Sequence, residues 1–141
     1  MNFKITDCES SGANYIVDSL VEYNLSKIAR TQEEDFIDIN KKIVDENNNI
    51  IGGCLAKMYC WNVMYIDTLW IEAAHRNQGL GAELLQEIEQ IAVEKNCTLI
   101  HLDTFDFQAK DFYIKQGYEI FGVLEDCPEN HCRYYLKKKL K

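Results

Sequence analysis

The segment HRNQGLGAELLQEIEQIAVEK, from His75 to Lys95, constrains the fold of this chain more than any other feature of the sequence. Apolar residues recur in it at three- and four-residue intervals, which predicts an amphipathic helix. Gly79 and Gly81 stand in its first turn, although a glycine costs a helix interior about 1 kcal/mol relative to alanine. The two glycines therefore indicate that another group approaches the backbone where the helix begins. The predicted buried stripe consists of Leu80, Leu84, Ile88, Ile91 and Ala92.

The segments on either side of this helix predict a sheet in the order β-α-α-β-β-β-α-β-α-β-β. FKIT forms the first strand, GANYIVDSLVEYNLSKIA one helix or two short ones, and QAKDFYIKQ the last helix. Asparagines in ENNN, at Asn62 and at Asn96 predict turns, because asparagine tolerates a positive φ. Strands joined without a helix pair antiparallel, whereas the central β-α-β unit is parallel with a right-handed crossover. The predicted fold class is therefore α/β (α+β), with a mixed, mostly antiparallel sheet.

The C-terminal LKKKLK is predicted to be a solvated edge strand, because lysines protect an edge from unwanted pairing. A chain of 141 residues that is 47% hydrophobic and 27% charged predicts a single globular domain, residues 1–141. Its first ten residues contain no apolar signal segment, and no apolar run reaches the ~18 residues of a membrane helix. We expect a cytoplasmic protein with no membrane partner. A net charge of −8 argues against nucleic acid.

Six cysteines occur in a chain without a secretory signal, so we expect free thiols rather than disulfides. Cys127, His131 and Cys132, in CPENHC, are three candidate metal ligands. No second pair with zinc spacing accompanies them, and Pro128 and Asn130 mark a turn. We therefore expect no metal, although a metal- or thiol-responsive interaction domain stays an alternative.

A strand, a turn and a helix that opens with glycines form a ready-made anion site, because the first N–H groups of a helix are unpaired. Three phosphate-binding motifs compete for this segment. A dinucleotide fingerprint requires a small residue where Leu84 stands, and a P-loop requires Lys-Ser/Thr where Ala82-Glu83 stands. The remaining pattern, R-x-x-G-x-G, is matched by Arg76, Gly79 and Gly81.

This pattern resembles the pyrophosphate-binding loop of the GNAT superfamily of N-acetyltransferases. The strand before it, Leu69-Trp70-Ile71, is similar to the family's L-x-V strand. About thirty residues later, the family's block A-x-x-x-Y-x-x-x-G-[FY] is matched by Ala109, Tyr113, Gly117 and Tyr118. The resemblance runs from Phe3 to Leu140 and implies a GNAT-like acyl-CoA N-acyltransferase fold.

The resemblance implies that acetyl-CoA is the co-substrate and that its acetyl group passes directly to a primary amine, without an acyl-enzyme. One position departs from the family, which has asparagine where this chain has Asp106. That cofactor contact is therefore left open. The other residues that the resemblance assigns to the cofactor are Leu69, Trp70, Ile71, Arg76, Asn77, Gln78, Gly79, Leu80, Gly81, Ala109, Phe112 and Tyr113.

The same resemblance implies catalytic roles. Tyr113 protonates the departing CoA thiolate, unless it only packs in its helix. An N–H of Leu69 or Ile71 stabilises the developing oxyanion. Asp67 is the first candidate for the general base, as a buried acid with a raised pKa, or else a structural hydrogen-bonding group. Glu72 is the second candidate, and His101 is predicted to be a packing residue.

Acidic and aromatic residues predominate in the segments that, by the resemblance, flank the acceptor. They favour a small-molecule acceptor with a cationic amine, or they are solvated surface charges. A catalytically silent CoA-binding or acyl-CoA-sensing module is the alternative function. Dimers are common among proteins of this type, so a homodimer is one expectation. The flanking residues are Tyr15, Asp18, Glu22, Tyr23, Glu33, Glu34, Asp35, Glu125, Asp126 and Glu129.

Overall fold

Six strands and three α-helices make up residues 2–141, the part of the chain that the computed structural model describes. The elements are α1 (Ser10–Lys27), β1 (Phe36–Val44), β2 (Ile50–Tyr59), β3 (Val63–Ile71), α2 (Leu80–Glu94), β4 (Leu99–Phe105), α3 (Lys110–Lys115), β5 (Glu119–Glu125) and β6 (Cys132–Lys139). The sheet order is β1-β2-β3-β4-β6-β5, with β3 and β4 parallel and all other neighbours antiparallel. The predicted mixed, mostly antiparallel sheet with a central β-α-β unit is confirmed.

Asparagines occupy left-handed positions at the predicted turns. Asn48 and Asn62 lie between the first three strands with φ of 65° and 57°, and Asn96 follows α2 with φ of 64°. The side chain of asparagine tolerates this region better than most residues do. The predicted turns and the end of α2 are confirmed.

The hydrophobic core lies between one face of the sheet and helices α2 and α3. Within α2, Leu84, Ile88 and Ala92 are buried as the helical spacing predicts, and Leu80 and Ile91 are partly buried. Leu85 is buried as well. The stripe thus covers about a third of the helix circumference, which is typical of a helix that packs on a sheet.

The opposite face of the sheet is called the open face here. No helix of residues 2–141 covers it as α2 covers the core face. Its side chains alternate with those of the core along each strand. Several of its rings contact one another, as in the edge-on pair Tyr59–His101 and the pair Phe121–Tyr135. The open face comprises Phe36, Leu55, Lys57, Tyr59, Tyr65, His101, Asp103, Phe105, Phe121, Leu124, Arg133, Tyr135 and Lys137.

The N-terminal part of the chain departs from the predicted order of elements in two places. FKIT forms no strand, and Phe3 and Ile5 in it are almost fully exposed. Alternation predicts a strand only where a neighbouring strand pairs with it, and nothing in residues 2–141 does so here. The following segment forms one continuous helix, α1, rather than two. It contains no proline that would break it.

The predicted edge strand LKKKLK is also wrong, because β6 lies inside the sheet between β4 and β5. Its lysines are accommodated by carboxylates at the border of the sheet. Lys138 Nζ donates to Glu89 Oε2 at 3.1 Å and to the carbonyl oxygen of Gln116 at 2.9 Å. Long lysine side chains bury their stems and keep the ammonium group at a polar rim.

We expect the free energy of unfolding to decrease as the pH falls below about 6.5, partly because of His101. Burial lowers the pKa of His101 in the folded chain, against the charge of Asp103, which raises it. The unfolded chain therefore binds a proton in a pH range where the folded chain does not, and protonation favours unfolding. Denaturant titrations at about pH 7.5 and about pH 5.5 measure the loss. His101→Gln is expected to lose less stability than the wild type, and an equal loss would remove His101 as a cause.

None of the helices in residues 2–141 is both long and apolar enough to cross a membrane.

Candidate active site

Strands β3 and β4 part in the middle of the sheet. They pair from Val63–Leu99 to Ile66–Leu102, and the pairing ends there although both strands continue. Asp67 is an extra residue at this point, because Ile66 lies opposite Ala56 and Thr68 lies opposite Leu55. Such a bulge bends its strand and increases the local twist. The bulge therefore accounts for the direction in which β3 leaves β4.

A cleft of about 910 Å³ occupies the gap between the two strands. It lies at the upper end of the roughly 300–1,000 Å³ found for small-molecule sites. Beyond Ile66, β3 keeps its pairing with β2 as far as Ile71, so only the edge of β3 that faces β4 lacks a partner strand. All of the residues assigned to the cofactor from sequence line this cleft, except Gln78.

The glycine loop lies at one end of the cleft. Gly79 precedes α2 with a φ of 82°, a left-handed conformation that favours glycine. The backbone N–H groups of the first turn of α2 have no partner within the helix and carry its positive dipole end. Arg76 Nε donates to the carbonyl oxygen of Ile71 at 2.8 Å, which fixes the arginine beside the end of β3. The arrangement suits a phosphate-bearing ligand.

Gly81 stands where a side chain would enter the cleft. A Cβ there would lie 3.5 Å from Cζ of Phe112 and 3.8 Å from Cγ1 of Ile71. Both residues line the cleft. These distances are ordinary van der Waals contacts, so a methyl group would fit the protein while occupying space next to a ligand.

Tyr113 lies deeper in the cleft, on α3, with only 6% of its surface exposed. Its hydroxyl makes no hydrogen bond within residues 2–141. No side-chain oxygen that is fully buried lacks a partner there, so the hydroxyl oxygen of Tyr113 must be accessible, and it opens into the cleft that the residue lines. Burial raises the pKa of Tyr113 well above its ordinary value of 10, and the nearby Cys54 and Asp103 add to the effect. The hydroxyl therefore stays protonated at neutral pH and is available as a donor.

The two carboxylates considered as bases lie in different surroundings. Asp67 lines the cleft, but it is exposed, so the expectation of a buried acid is wrong. The bulge turns it out of the regular alternation that predicted burial. Glu72 is outside the lining of the cleft, and its Oε2 is 2.9 Å from Nδ1 of His75.

One group beside the cleft was missed from sequence. Asp103 lines the cleft, accepts a hydrogen bond from the Tyr65 hydroxyl at 2.8 Å and forms an ion pair with Arg133. Burial and this carboxylate raise the pKa of Tyr65 to about 12. The signal was the alternation of β4, which puts His101, Asp103 and Phe105 on one face. Tyr65, Asp103 and Arg133 come from three different strands, so no local sequence pattern could show that they meet.

Asp106, which stands where the resemblance expects asparagine, is engaged by the segment that leads into β6. Its two oxygens lie 3.0 Å from Nδ1 of His131 and 3.0 Å from the N–H of Cys132. Burial opposes ionisation, but these hydrogen bonds and the His131 charge outweigh it, so the pKa of Asp106 is lowered. Within residues 2–141, no group of three or more histidines, cysteines or acids is arranged to hold a metal ion.

Cys54 is the cysteine to consider as a nucleophile that would form an acyl-enzyme. It is fully buried, and burial raises its pKa to about 12. A nucleophilic cysteine needs a thiolate at neutral pH, which requires a lowered pKa. Cys54 is therefore a core residue.

Comparisons with known proteins agree on one family. The model of the acetyltransferase (GNAT) family matches residues 13–118. Blasticidin-S acetyltransferase of Streptomyces morookaense is 32% identical over 67% of this chain and 70% of its own length. An acetyltransferase structure from Bacillus cereus is 36% identical, covers 98% of both chains and has a TM-score of 0.89. An acetyltransferase-class structure from Bacillus anthracis, in complex with acetyl coenzyme A, is 25% identical over 74% of this chain and 63% of its own, with a TM-score of 0.65. The chain is thus a member of the GNAT acetyltransferase family.

Proposed function

We propose that this protein transfers the acetyl group of acetyl-CoA directly to a primary amine of a small molecule. The observation that carries the proposal is the cleft itself. It joins an unpaired strand edge, a glycine-rich helix start and a protonated buried tyrosine in one continuous space. A cofactor made of a pyrophosphate, a long amide-containing arm and a thioester needs these three environments.

The residues present fit acetyl-CoA. Arg76 and the backbone from Asn77 to Gly81 would hold the pyrophosphate, because a helix start favours anions. The unpaired edge of Leu69–Ile71 would hydrogen-bond the amides of the arm, in place of a neighbouring strand. The bare backbone at Gly81 leaves room beside Phe112 for that arm.

In the proposed reaction, the amine nitrogen forms a bond to the thioester carbonyl carbon and the carbon–sulfur bond breaks. The Tyr113 hydroxyl donates a proton to the leaving sulfur, or hydrogen-bonds it, and the proton that the attacking nitrogen loses restores the hydroxyl or completes the thiol. Backbone N–H groups at Leu69 or Ile71 stabilise the oxyanion. The ammonium group of the acceptor must first lose a proton. Asp67, exposed where the two strands begin to part, is the better-placed carboxylate to accept it through water, since Glu72 is outside the cleft lining.

Chemistry near the gap supports an amine acceptor of small size. Asp67 lines the cleft and is exposed, and an acidic group attracts a cationic amine. The Streptomyces relative is, by its name, an acetyltransferase for blasticidin-S. The silent-module alternative gains nothing from Asp106, because its charge is engaged by His131 and Cys132.

We expect acetyl-CoA to raise the thermal unfolding midpoint, and NAD and ATP to leave it unchanged. A ligand at 100 times its dissociation constant adds about 2.7 kcal/mol to the stability of the native state. That gain corresponds to several degrees for a chain of this size. Scanning calorimetry on separate samples measures it.

The second stage of this experiment adds amines, one at a time, to protein with acetyl-CoA and follows release of the free thiol. Thiol release that depends on the amine supports transfer. A midpoint shift without thiol release for any amine would leave cofactor binding standing and favour the silent module. No shift with acetyl-CoA would contradict the assignment of the cleft.

A further inference from the structure

Aromatic rings are exposed on the open-face side of the cleft, one on each of its two walls. Phe107, which follows β4, lines the cleft and is 61% exposed. Its ring stacks on that of Phe105, a residue of the open face, with centroids 5.3 Å apart and planes 8° apart. Trp70 of β3, 46% exposed, lines the cleft as well, and it lies on the same face because its neighbour Leu69 is opposite the core residue Cys54. Exposed rings in a cleft are typical of a small-molecule site.

The groups assigned to the cofactor approach the cleft from the other face of the sheet. The glycine loop leads into α2 and Tyr113 belongs to α3, and both helices pack on the core face. A cofactor held by these groups leaves the open-face side of the cleft to a second molecule. In the proposed reaction that second molecule is the acceptor. The two exposed rings therefore lie where the body of the acceptor is expected.

Phe107 is held in place by its own chain. The His131 ring contacts it edge-on, with centroids 5.4 Å apart. Asp106 fixes this histidine, since its Oδ1 lies 3.0 Å from His131 Nδ1 and its Oδ2 accepts from the N–H of Cys132 at 3.0 Å. One face of the Phe107 ring is covered by Phe105 and one edge by His131, so the opposite face is its exposed part. A preorganised surface loses little conformational entropy on binding.

The exposed face of Phe107 fits a flat, apolar group. Aromatic rings pair in offset-stacked or edge-on arrangements, and Phe107 already stacks on Phe105. A second ring on its free face would extend this stack. Asp67 is exposed on the lining of the same cleft and attracts a cationic amine, so it accounts for the other end of the acceptor. A ring and an ammonium group joined in one molecule match both features.

We infer, on the basis of the proposed function, that the acceptor is a primary amine that carries a flat aromatic ring, and that this ring stacks on the free face of Phe107, called the ring site here. Phe107 is then a specificity-determining residue, which distinguishes amines by the group that carries them. An ammonium group lying directly over the ring would be a different contact, a cation–π pair, for which tryptophan is the better partner. A cation–π pair would treat all primary amines alike, whereas stacking selects those with a ring.

Steady-state kinetics with two amines test the ring site. 2-Phenylethylamine and ethylamine share the reacting end, so they differ only in the ring. With the wild type, kcat/KM is expected to be about tenfold or more higher for 2-phenylethylamine, because the ring is buried and stacked. Phe107→Ala should lower kcat/KM for 2-phenylethylamine to the value for ethylamine. Its affinity for acetyl-CoA should be retained, which also shows that the variant is folded.

Two further variants control for the loss of a ring. Phe107→Tyr keeps the aromatic face and should keep the preference for 2-phenylethylamine. Phe121→Ala removes an open-face phenylalanine that is 55% exposed but lies outside the cleft lining, so it should behave like the wild type. A preference lost equally in Phe107→Ala and Phe121→Ala would overturn the ring site, because the loss would not depend on the cleft.

Binding measured without turnover separates the ring site from the proposed transfer. Calorimetric titration of 2-phenylethylamine into protein saturated with CoA is expected to show binding that Phe107→Ala weakens by about tenfold. Such binding without acetylation of either amine would support the ring site and contradict the transfer. Equal efficiency for the two amines would support the transfer and overturn the ring site. Absence of binding, or a loss of acetyl-CoA affinity in Phe107→Ala, would overturn it too, since Phe107 would then have no aromatic ligand or would contact the cofactor instead.

Discussion

Replacing Tyr113 by phenylalanine is expected to lower kcat by about 100-fold or more, the range in which general acids contribute. The affinity for acetyl-CoA should change little, because the ring that lines the cleft is retained. The physical reason is the position of the hydroxyl, which opens into the cleft without a partner in residues 2–141 and, because its pKa is raised, stays protonated and able to donate a hydrogen bond to the leaving sulfur. Steady-state kinetics with the best amine from the panel, together with calorimetric titration of acetyl-CoA, separate the two effects.

Tyr118 provides the matched control. It is a buried tyrosine that contacts the Tyr113 ring edge-on, but its hydroxyl donates to Glu89 Oε2 at 2.8 Å. Tyr118→Phe should reduce stability, since it leaves a carboxylate short of one donor, and should retain kcat. If Tyr113→Phe keeps wild-type kcat, or if both variants lose kcat equally, the hydroxyl of Tyr113 has no chemical role.

Replacing Gly81 by valine is expected to weaken acetyl-CoA binding by more than tenfold and to leave the melting temperature of the ligand-free protein nearly unchanged. The added carbons enter the space between Ile71 and Phe112, where the arm of the cofactor is proposed to pass. Gly81→Ala should give a smaller loss, because its Cβ makes only ordinary contacts. Alanine also favours a helix over glycine, by up to about 1 kcal/mol, so it should not destabilise α2.

Gly122→Ala controls for the loss of a glycine. Its Cβ would lie 3.8 Å from Tyr135, again an ordinary contact, on a strand outside the cleft lining. It should bind acetyl-CoA like the wild type. Binding by Gly81→Val that equals that of Gly122→Ala would mean that the cofactor does not pass this turn of α2.

The regular elements were predictable because each repeats its own signal locally. The stripe of α2 follows helical spacing over four turns, and the asparagines mark turns by their tolerance of positive φ. The place of β6 was not predictable from its lysines. Their distant partners, Glu89 for Lys138 among them, decide whether a charged strand can lie inside a sheet.

The site was predictable where one segment forms it and not where several do. The loop from Arg76 to Gly81 is contiguous, so the sequence shows its shape. The exposure of Asp67 depends on the register between β2 and β3, which a single strand does not reveal. The grouping of Asp103 with Tyr65 and Arg133 depends on three strands in a particular order.

The extra residue in β3, Asp67, divides the strand into a part that is paired on both sides and a part that is paired on one side only. Before Asp67, β3 is hydrogen-bonded on both sides and its residues belong to the interior of a finished sheet. After it, the strand still pairs with β2 but no longer with β4. Its free edge is a row of hydrogen-bond donors and acceptors that a ligand could bind. A compound that lies along this edge therefore supplies the missing strand, and its binding energy becomes part of the cohesion of the two halves of the sheet. Substitutions on the two sides of this single residue should accordingly divide into those that change folding and those that change how folding responds to ligand.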